Sequence, residues 1–157
     1  MANLEGKKAP AFSLEGSDGK QHSLEDYKGK TVVLYFYPKD DTPGCTKEAC
    51  GFRDLGASLK RSNAVVLGVS KDSIESHKKF AGKYKLPFTL LSDPKVEVMK
   101  KYGAFGKKMM YGKPVQGTIR STVIIGPKGE VIRHWPMVKK AEAHPEEVLS
   151  FLETRAD

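Results

Sequence analysis

Thr31-Val-Val-Leu-Tyr-Phe-Tyr37 is an unbroken run of β-branched and aromatic residues, closed by Pro38. Such a run is typical of a strand that is buried on both faces. A helical pattern follows over residues 43 to about 61, with Thr42 as its expected N-cap. Ala64-Val-Val-Leu-Gly-Val-Ser70 then repeats the composition of a buried strand. Strand, helix and strand of these lengths form a βαβ unit, which predicts parallel pairing and a right-handed crossover.

The middle of the chain continues with shorter elements. Ser73 is expected to cap a helix that runs to about Lys85 and stops before a proline. Residues 88–91 predict a short edge strand, and the Asp-Pro pair that follows opens a brief helix over residues 94–102. Residues 103–117 are rich in Gly and Lys, which indicates a loop.

The two ends of the chain each predict a β-hairpin. Residues 118–125 and 130–135 flank a Gly-Pro-Lys-Gly turn, and a helix over about 144–154 closes the chain. At the front, residues 11–14 and 21–24 flank a Gly-Ser-Asp-Gly turn. This order of elements predicts an α/β protein with a thioredoxin-like fold and an N-terminal β-hairpin extension. Without repeats or low-complexity linkers, residues 1–157 are expected to form a single domain.

Composition restricts the class of protein. The 157 residues are 39% hydrophobic and 29% charged, with a formal net charge of +8, which is typical of a globular protein. No apolar run approaches the ~20 residues that cross a bilayer, so no membrane association is expected. The basic residues are spread along the chain, which argues against nucleic-acid binding. The N-terminus lacks the apolar stretch of a secretory signal, so we expect a cytoplasmic protein, or an organellar one if a transit peptide was removed.

Two cysteines, Cys45 and Cys50, are too few for a disulfide scaffold or a zinc site, and no spacing of histidines predicts another metal site. Cys45 falls in the first turn of the predicted helix, directly after a buried strand. Backbone N–H groups at a helix start lack intrahelical acceptors, and the macrodipole adds about half a positive charge there. A thiol in this position is stabilised as the thiolate, which is the nucleophilic form. Cys45 is therefore the candidate nucleophile, in preference to an inert core cysteine.

Cys50 lies five residues further along the same predicted helix. On an ideal α-helix the two Cα atoms would be about 8.7 Å apart. A disulfide needs a separation below about 7 Å. If the two cysteines bond, the first turns of the helix must unwind, so the reduced and oxidised proteins should differ in shape.

The motif Pro38-x-x-x-Thr42-x-x-Cys45 resembles the active-site motif of peroxiredoxins, and Cys50 occupies the resolving position of their Q type, the bacterioferritin comigratory protein subfamily. The resemblance covers nearly the whole chain. It includes three further stretches, residues 68–77, 86–93 and 117–123. Ala11 departs from the family, which usually has an acidic residue there, but this position lies in the N-terminal hairpin.

The resemblance implies a role for each residue of the site. Cys45 would be the peroxidatic cysteine, which attacks a hydroperoxide and becomes a sulfenic acid. Thr42 would hydrogen-bond the sulfur and the peroxide, Pro38 would shield the site from water, and Arg120 would stabilise the thiolate and the transition state. Cys50 would form an intramolecular disulfide with Cys45, which a thioredoxin-like dithiol donor would reduce. The family needs no cofactor and no metal, its substrates are hydrogen peroxide and organic hydroperoxides, and its Q type suggests a monomer.

Other interpretations of these residues remain open. Cys50 could be a passive helix residue, Thr42 only a cap, and Arg120 a surface charge at a strand end. His77 lies on the apolar face of its helix and is expected to be a core or boundary residue. A thiol-disulfide oxidoreductase of the same fold is a second function, although such enzymes usually carry Cys-x-x-Cys. A redox-sensing or chaperone-like module is a third, and it predicts that Cys45→Ser leaves peroxide consumption unchanged.

Overall fold

The computed structural model describes residues 3–155. A seven-stranded mixed sheet has the order β2-β1-β5-β4-β3-β8-β9, and a separate two-stranded sheet pairs β6 with β7. The strands are β1 Ser13–Gly16, β2 Gln21–Ser23, β3 Thr31–Phe36, β4 Ala64–Ser70, β5 Thr89–Ser92, β6 Phe105–Met110, β7 Lys113–Thr118, β8 Ser121–Ile125 and β9 Val131–Trp135. The helices are α1 Pro43–Asp54, α2 Gly56–Arg61, α3 Ile74–Tyr84, α4 Glu97–Lys101 and α5 His144–Thr154.

The βαβ unit forms as its hydrophobic runs predict. β3 and β4 are parallel over six residue pairs, from Thr31 opposite Ala64 to Phe36 opposite Val69. Every residue of β3 is buried, because side chains leave a strand alternately and both faces of this sheet are covered. The hairpin of β8 and β9 and the N-terminal hairpin of β1 and β2 also form. The thioredoxin-like α/β fold is therefore confirmed.

A core lies on each face of the sheet. Helices α1, α3 and α5 cover one face, where Tyr35, Phe52, Phe80 and Val148 are buried together. The opposite core contains Phe36 and residues of α4 and of the N-terminal segment. The catalytic candidates follow β3, whose carboxyl end carries the chain from this double-sided core into α1.

Several sequence predictions of local structure are wrong. Residues 103–117 are a hairpin and not a loop, because Tyr111 and Gly112 at positive φ form a two-residue turn. The strand after α3 is not at an edge, because β1 pairs with the outer side of β5. The predicted helix over residues 43 to about 61 is two helices, which break at Leu55, just before Gly56.

The predicted strand over residues 118–125 is also interrupted, and this interruption matters for the site. β7 ends at Thr118 and β8 begins at Ser121. Between them, the Ile119 N–H donates to the Ala104 carbonyl, and the Arg120 carbonyl accepts from the Val138 N–H. Arg120 thus lies in a break between two strands, with its backbone held by residues outside the sheet.

Candidate active site

Cys45 is the third residue of α1, at the carboxyl end of the buried strand β3. Its side chain is buried, with 1% exposure. Pro43 begins the helix, where its missing N–H costs no hydrogen bond. Gly44 leaves room for the Arg120 guanidinium, because a Cβ at this position would lie only 3.2 Å from the Arg120 Nη2 atom. A buried sulfur therefore lies among the free N–H groups of a helix start, next to a cation.

The Arg120 guanidinium joins a sulfur and a carboxylate. Nη2 lies 3.3 Å from the Cys45 Sγ, and Nη1 lies 2.7 Å from Oε1 of Glu48. Burial acts to lower the pKa of Arg120, but the charges of Glu48 and Cys45 raise it above its ordinary value. The guanidinium therefore stays charged, and it places a fixed positive charge 3.3 Å from the Cys45 sulfur.

Glu48 is a site residue that the sequence analysis did not identify. Burial raises its pKa to about 7, although the contact with Arg120 acts in the opposite direction. Its other oxygen, Oε2, has no hydrogen-bond partner among the described residues. Near neutral pH the carboxyl is therefore the member of the Arg120 pair that takes up a proton. The helical spacing of three from Cys45 could have placed Glu48 on the same face.

Thr42 and Pro38 lie on the outer side of the site. Thr42 is the N-cap residue of α1, but its side chain makes no capping hydrogen bond. Its hydroxyl donates instead to the Lys39 carbonyl at 2.8 Å. The lone pairs of Oγ1 thus remain available as acceptors. Pro38 is partly buried and lines a groove with Arg120.

This groove has a volume of about 760 Å³ and leads to the Arg120 side chain. Apolar side chains from β6, β7 and the segment after β9 form most of its wall, including Met109 and Met137, which are 68% and 54% exposed. Its lining residues are Pro38, Lys107, Lys108, Met109, Pro114, Thr118, Ile119, Arg120 and Met137. The misassigned hairpin therefore builds one side of the approach to the site.

Cys50 lies in the same helix as Cys45 and is only partly buried. Both cysteines are free thiols in this structure. Because α1 is helical from Pro43 to Asp54, the separation of about 8.7 Å expected for an ideal helix applies to this pair. The structure is thus that of the reduced state, and a Cys45–Cys50 bond requires α1 to change.

Among residues 3–155, one group of side chains could converge on a metal ion, namely Asp40, Asp72 and His77. Hydrogen bonds within the protein already engage these side chains: His77 Nδ1 contacts Asp40 Oδ2 at 2.7 Å, and the Ser70 hydroxyl donates to Asp72 Oδ2 at 2.6 Å. In the same part of the chain, no helix is long and apolar enough to span a membrane.

Comparisons with known proteins agree with this geometry. Residues 5–134 match the AhpC/TSA family. The chain is 51% identical to a putative peroxiredoxin Bcp of Coxiella burnetii, over 94% of this chain and 97% of that protein. It is 45% identical to peroxiredoxin Bcp of Bacillus subtilis, over 97% and 96%.

Solved structures agree with the fold as well. A PrxQ variant of Xylella fastidiosa superposes with a TM-score of 0.89 at 35% identity, over the full length of both chains. The bacterioferritin comigratory protein of Xanthomonas campestris, studied for its alkyl peroxide reduction activity, gives a TM-score of 0.85 at 39% identity over 90% of each chain. The chain therefore belongs to the AhpC/TSA family, as a peroxiredoxin of the Bcp and peroxiredoxin Q type.

Proposed function

We propose that this peroxidase reduces hydrogen peroxide and organic hydroperoxides with Cys45 as the peroxidatic nucleophile and Cys50 as the resolving thiol. The observation that carries the proposal is the contact of 3.3 Å between the Cys45 sulfur and the Arg120 guanidinium at a helix start. Together, the cation and the unpaired N–H groups place positive charge beside the attacking sulfur, in a site that is closed to bulk water.

In the first step, the Cys45 thiolate attacks the terminal oxygen of the hydroperoxide. An S–O bond forms as the O–O bond breaks, and the departing oxygen takes a proton and leaves as water or an alcohol. The sulfur is oxidised to a sulfenic acid, and the peroxide is reduced. Arg120 stabilises the negative charge that moves from the sulfur to the departing oxygen. Thr42 Oγ1, whose proton is directed to the Lys39 carbonyl, accepts a hydrogen bond from the peroxide O–H.

The groove beside Arg120 supports organic hydroperoxides as substrates. Its wall near the guanidinium is apolar, and Met109 and Met137 expose flexible thioether side chains to an incoming alkyl group. An alkyl chain in this groove would direct its peroxide group toward Arg120, and Pro38 would limit the entry of water. Hydrogen peroxide needs no such contact.

In the second step, the Cys50 thiol attacks the sulfenic sulfur, water leaves, and a disulfide forms. The geometry of α1 requires its first turns to unwind for this step, since about 8.7 Å exceeds the Cα separation of a disulfide. A dithiol donor of the thioredoxin type then reduces the bond by thiol–disulfide exchange, which restores both thiols.

The test is a titration of the fully reduced protein with peroxide, followed by counting free thiols. One equivalent is expected to reduce the count from two to zero within a single chain. With thioredoxin and its reductase, Cys45→Ser should lose all peroxide consumption in steady state. Reduced Cys50→Ser without the reductase should still consume one equivalent in a single turnover. One remaining thiol in the wild type, or disulfide-linked dimers on a non-reducing gel, would exclude Cys50 as the internal partner. Fast insulin reduction with slow peroxide turnover would favour the oxidoreductase alternative.

The remaining expectations stay predictions. They are a monomeric state, a cytoplasmic location, no metal or organic cofactor, and no binding to nucleic acid or membranes. Sedimentation of the reduced protein measures the first of these directly, and the oxidised protein serves as the comparison because α1 is expected to differ between the two states.

A further inference from the structure

A buried carboxylate anchors the loop between β3 and α1. The Asp40 side chain is 4% exposed and takes part in three hydrogen bonds. The Tyr37 hydroxyl donates to Oδ1 at 2.5 Å, and the Ser76 hydroxyl and His77 Nδ1 lie 2.7 Å from Oδ2. Because Ser76 and His77 belong to α3, Asp40 connects the catalytic loop to a helix that contributes no residue to the active site described above.

The partner of His77 Nε2 shows where the protons lie in the contact between His77 and Asp40. His77 Nε2 lies 2.9 Å from the Leu91 carbonyl oxygen, which can only accept, so Nε2 carries a proton. The contact between Nδ1 and Asp40 Oδ2 therefore needs a second proton, held by the imidazole or by the carboxyl. His77 has no exposed surface, so this hydrogen bond forms away from water.

The backbone of the same loop is fixed at two further points. The Asp40 N–H donates to Asp72 Oδ2 at 2.8 Å, and the Thr42 hydroxyl donates to the Lys39 carbonyl. The orientation of Thr42 thus depends on the peptide unit that joins Lys39 to Asp40. Cys45 follows three residues after Thr42, in the first turn of α1.

We propose that His77 is a positioning residue for the peroxidase reaction. Through Asp40 it holds the loop in which Thr42 and the start of α1 face Arg120. A contribution to stability alone does not explain a polar pair here, because buried ion pairs stabilise proteins no better than apolar side chains of similar volume. The inference rests on the proposed function, since it assigns His77 to the reaction of Cys45.

Two substitutions at His77 separate its two hydrogen bonds. The amide nitrogen of Asn occupies the place of Nδ1, so His77→Asn keeps the donor to Asp40 and loses the donor to Leu91. The amide nitrogen of Gln occupies the place of Nε2, so His77→Gln keeps the contact with Leu91 and loses the one with Asp40. Both variants are polar and lose one buried hydrogen bond, but His77→Gln loses the bond to a carboxyl and is expected to lose more stability. The kcat/KM values are therefore compared at a temperature at which both variants are folded.

The measurement is kcat/KM for hydrogen peroxide with thioredoxin and its reductase, beside the melting temperature of each variant. His77→Gln is expected to lower kcat/KM about 10- to 100-fold, because the loop that aims Thr42 loses its anchor. His77→Asn should stay within about 3-fold of the wild type. If His77 contributed only to stability, kcat/KM of the folded protein would not be lower in His77→Gln than in His77→Asn.

His22 supplies a matched control. It also contacts an aspartate and a tyrosine, Asp18 at 2.9 Å and Tyr27 at 2.6 Å, but in the N-terminal hairpin. His22→Gln should leave kcat/KM unchanged. If the His77 variants do not fold, Ser76→Ala removes another donor to the same Asp40 oxygen and should lower kcat/KM about 5- to 10-fold.

Equal kcat/KM values for His77→Asn and His77→Gln, or an unchanged Ser76→Ala where the others do not fold, would overturn the inference. A wild-type protein that consumes no peroxide through Cys45 would instead overturn the proposed function. The two failures are therefore distinguishable.

Discussion

Glu48 makes the free energy of unfolding depend on pH, and one substitution isolates this dependence. Burial raises the pKa of Glu48 from 4.5 to about 7 in the folded protein, although Arg120 lies 2.7 Å away and lowers it. In the unfolded chain the carboxyl regains its ordinary pKa of 4.5. Between these two values the folded state holds a proton that the unfolded state has released.

This difference sets the direction in which the free energy of unfolding changes with pH. The stability that protonated Glu48 contributes is fully present below pH 4.5 and is lost as the pH rises through about 7. The difference between the two pKa values, 7 − 4.5, corresponds to about 3 kcal/mol at 1.36 kcal/mol for each pH unit. Most of this, about 2 to 3 kcal/mol, falls between pH 5 and pH 8, because the unfolded chain is already mostly ionised at pH 5.

Glu48→Gln keeps an oxygen that accepts from Arg120 but removes the titrating group. Urea unfolding of the reduced wild type and variant at pH 5 and pH 8 measures the effect. The stability of the variant relative to the wild type is expected to increase by about 2 to 3 kcal/mol from pH 5 to pH 8. Glu142→Gln, at a glutamate with 71% exposure, is the control and should show no such change. An equal difference at both pH values for Glu48→Gln would mean that Arg120 outweighs burial, and the reasoning would be refuted.

Three further predictions concern the active site. Arg120→Met is expected to lower kcat/KM for hydrogen peroxide about 100- to 1000-fold, because the cation beside the sulfur is lost; a smaller effect than 10-fold in stopped-flow assays would contradict this role. Oxidation by one equivalent of peroxide should remove one to two helical turns of α1, which far-UV circular dichroism detects; an unchanged spectrum would mean that Cys45 and Cys50 bond without unwinding. Met137→Ser should lower kcat/KM for cumene hydroperoxide about 3- to 10-fold and leave that for hydrogen peroxide unchanged; equal effects would place the alkyl group elsewhere.

The sequence predicted those parts of the site that lie close together in the chain. The apolar run of β3, followed by Pro43 and Cys45, places a thiol at a helix start through local geometry alone. Arg120 was assigned only by its place in a family pattern, since a single basic residue at a strand end indicates no contact. Glu48 was missed, although it lies one helical turn from Cys45, because a glutamate in an amphipathic helix usually faces water.

Other predictions failed because composition alone does not record which strands pair. The Lys and Gly content of residues 103–117 is typical of a loop, yet the hairpin forms because its own two strands pair across a tight turn. β5 was placed at an edge because nothing in its four residues records that β1 pairs with it. The histidine in α3 was correctly expected to be buried, but its aspartate partner lies 37 residues away in the chain.

The sequence by itself determined the βαβ core, the helix that carries both cysteines and the need for that helix to unwind if they bond. These follow from the period of apolar residues and from the rise of a helix, which act over a few residues. Only the tertiary structure decided that the Arg120 guanidinium, 75 residues away in the chain, reaches the Cys45 sulfur. It also decided that the Glu48 carboxyl contacts the same guanidinium. Those contacts depend on the order of the strands and on the break before β8, which arise from packing between segments distant in the chain.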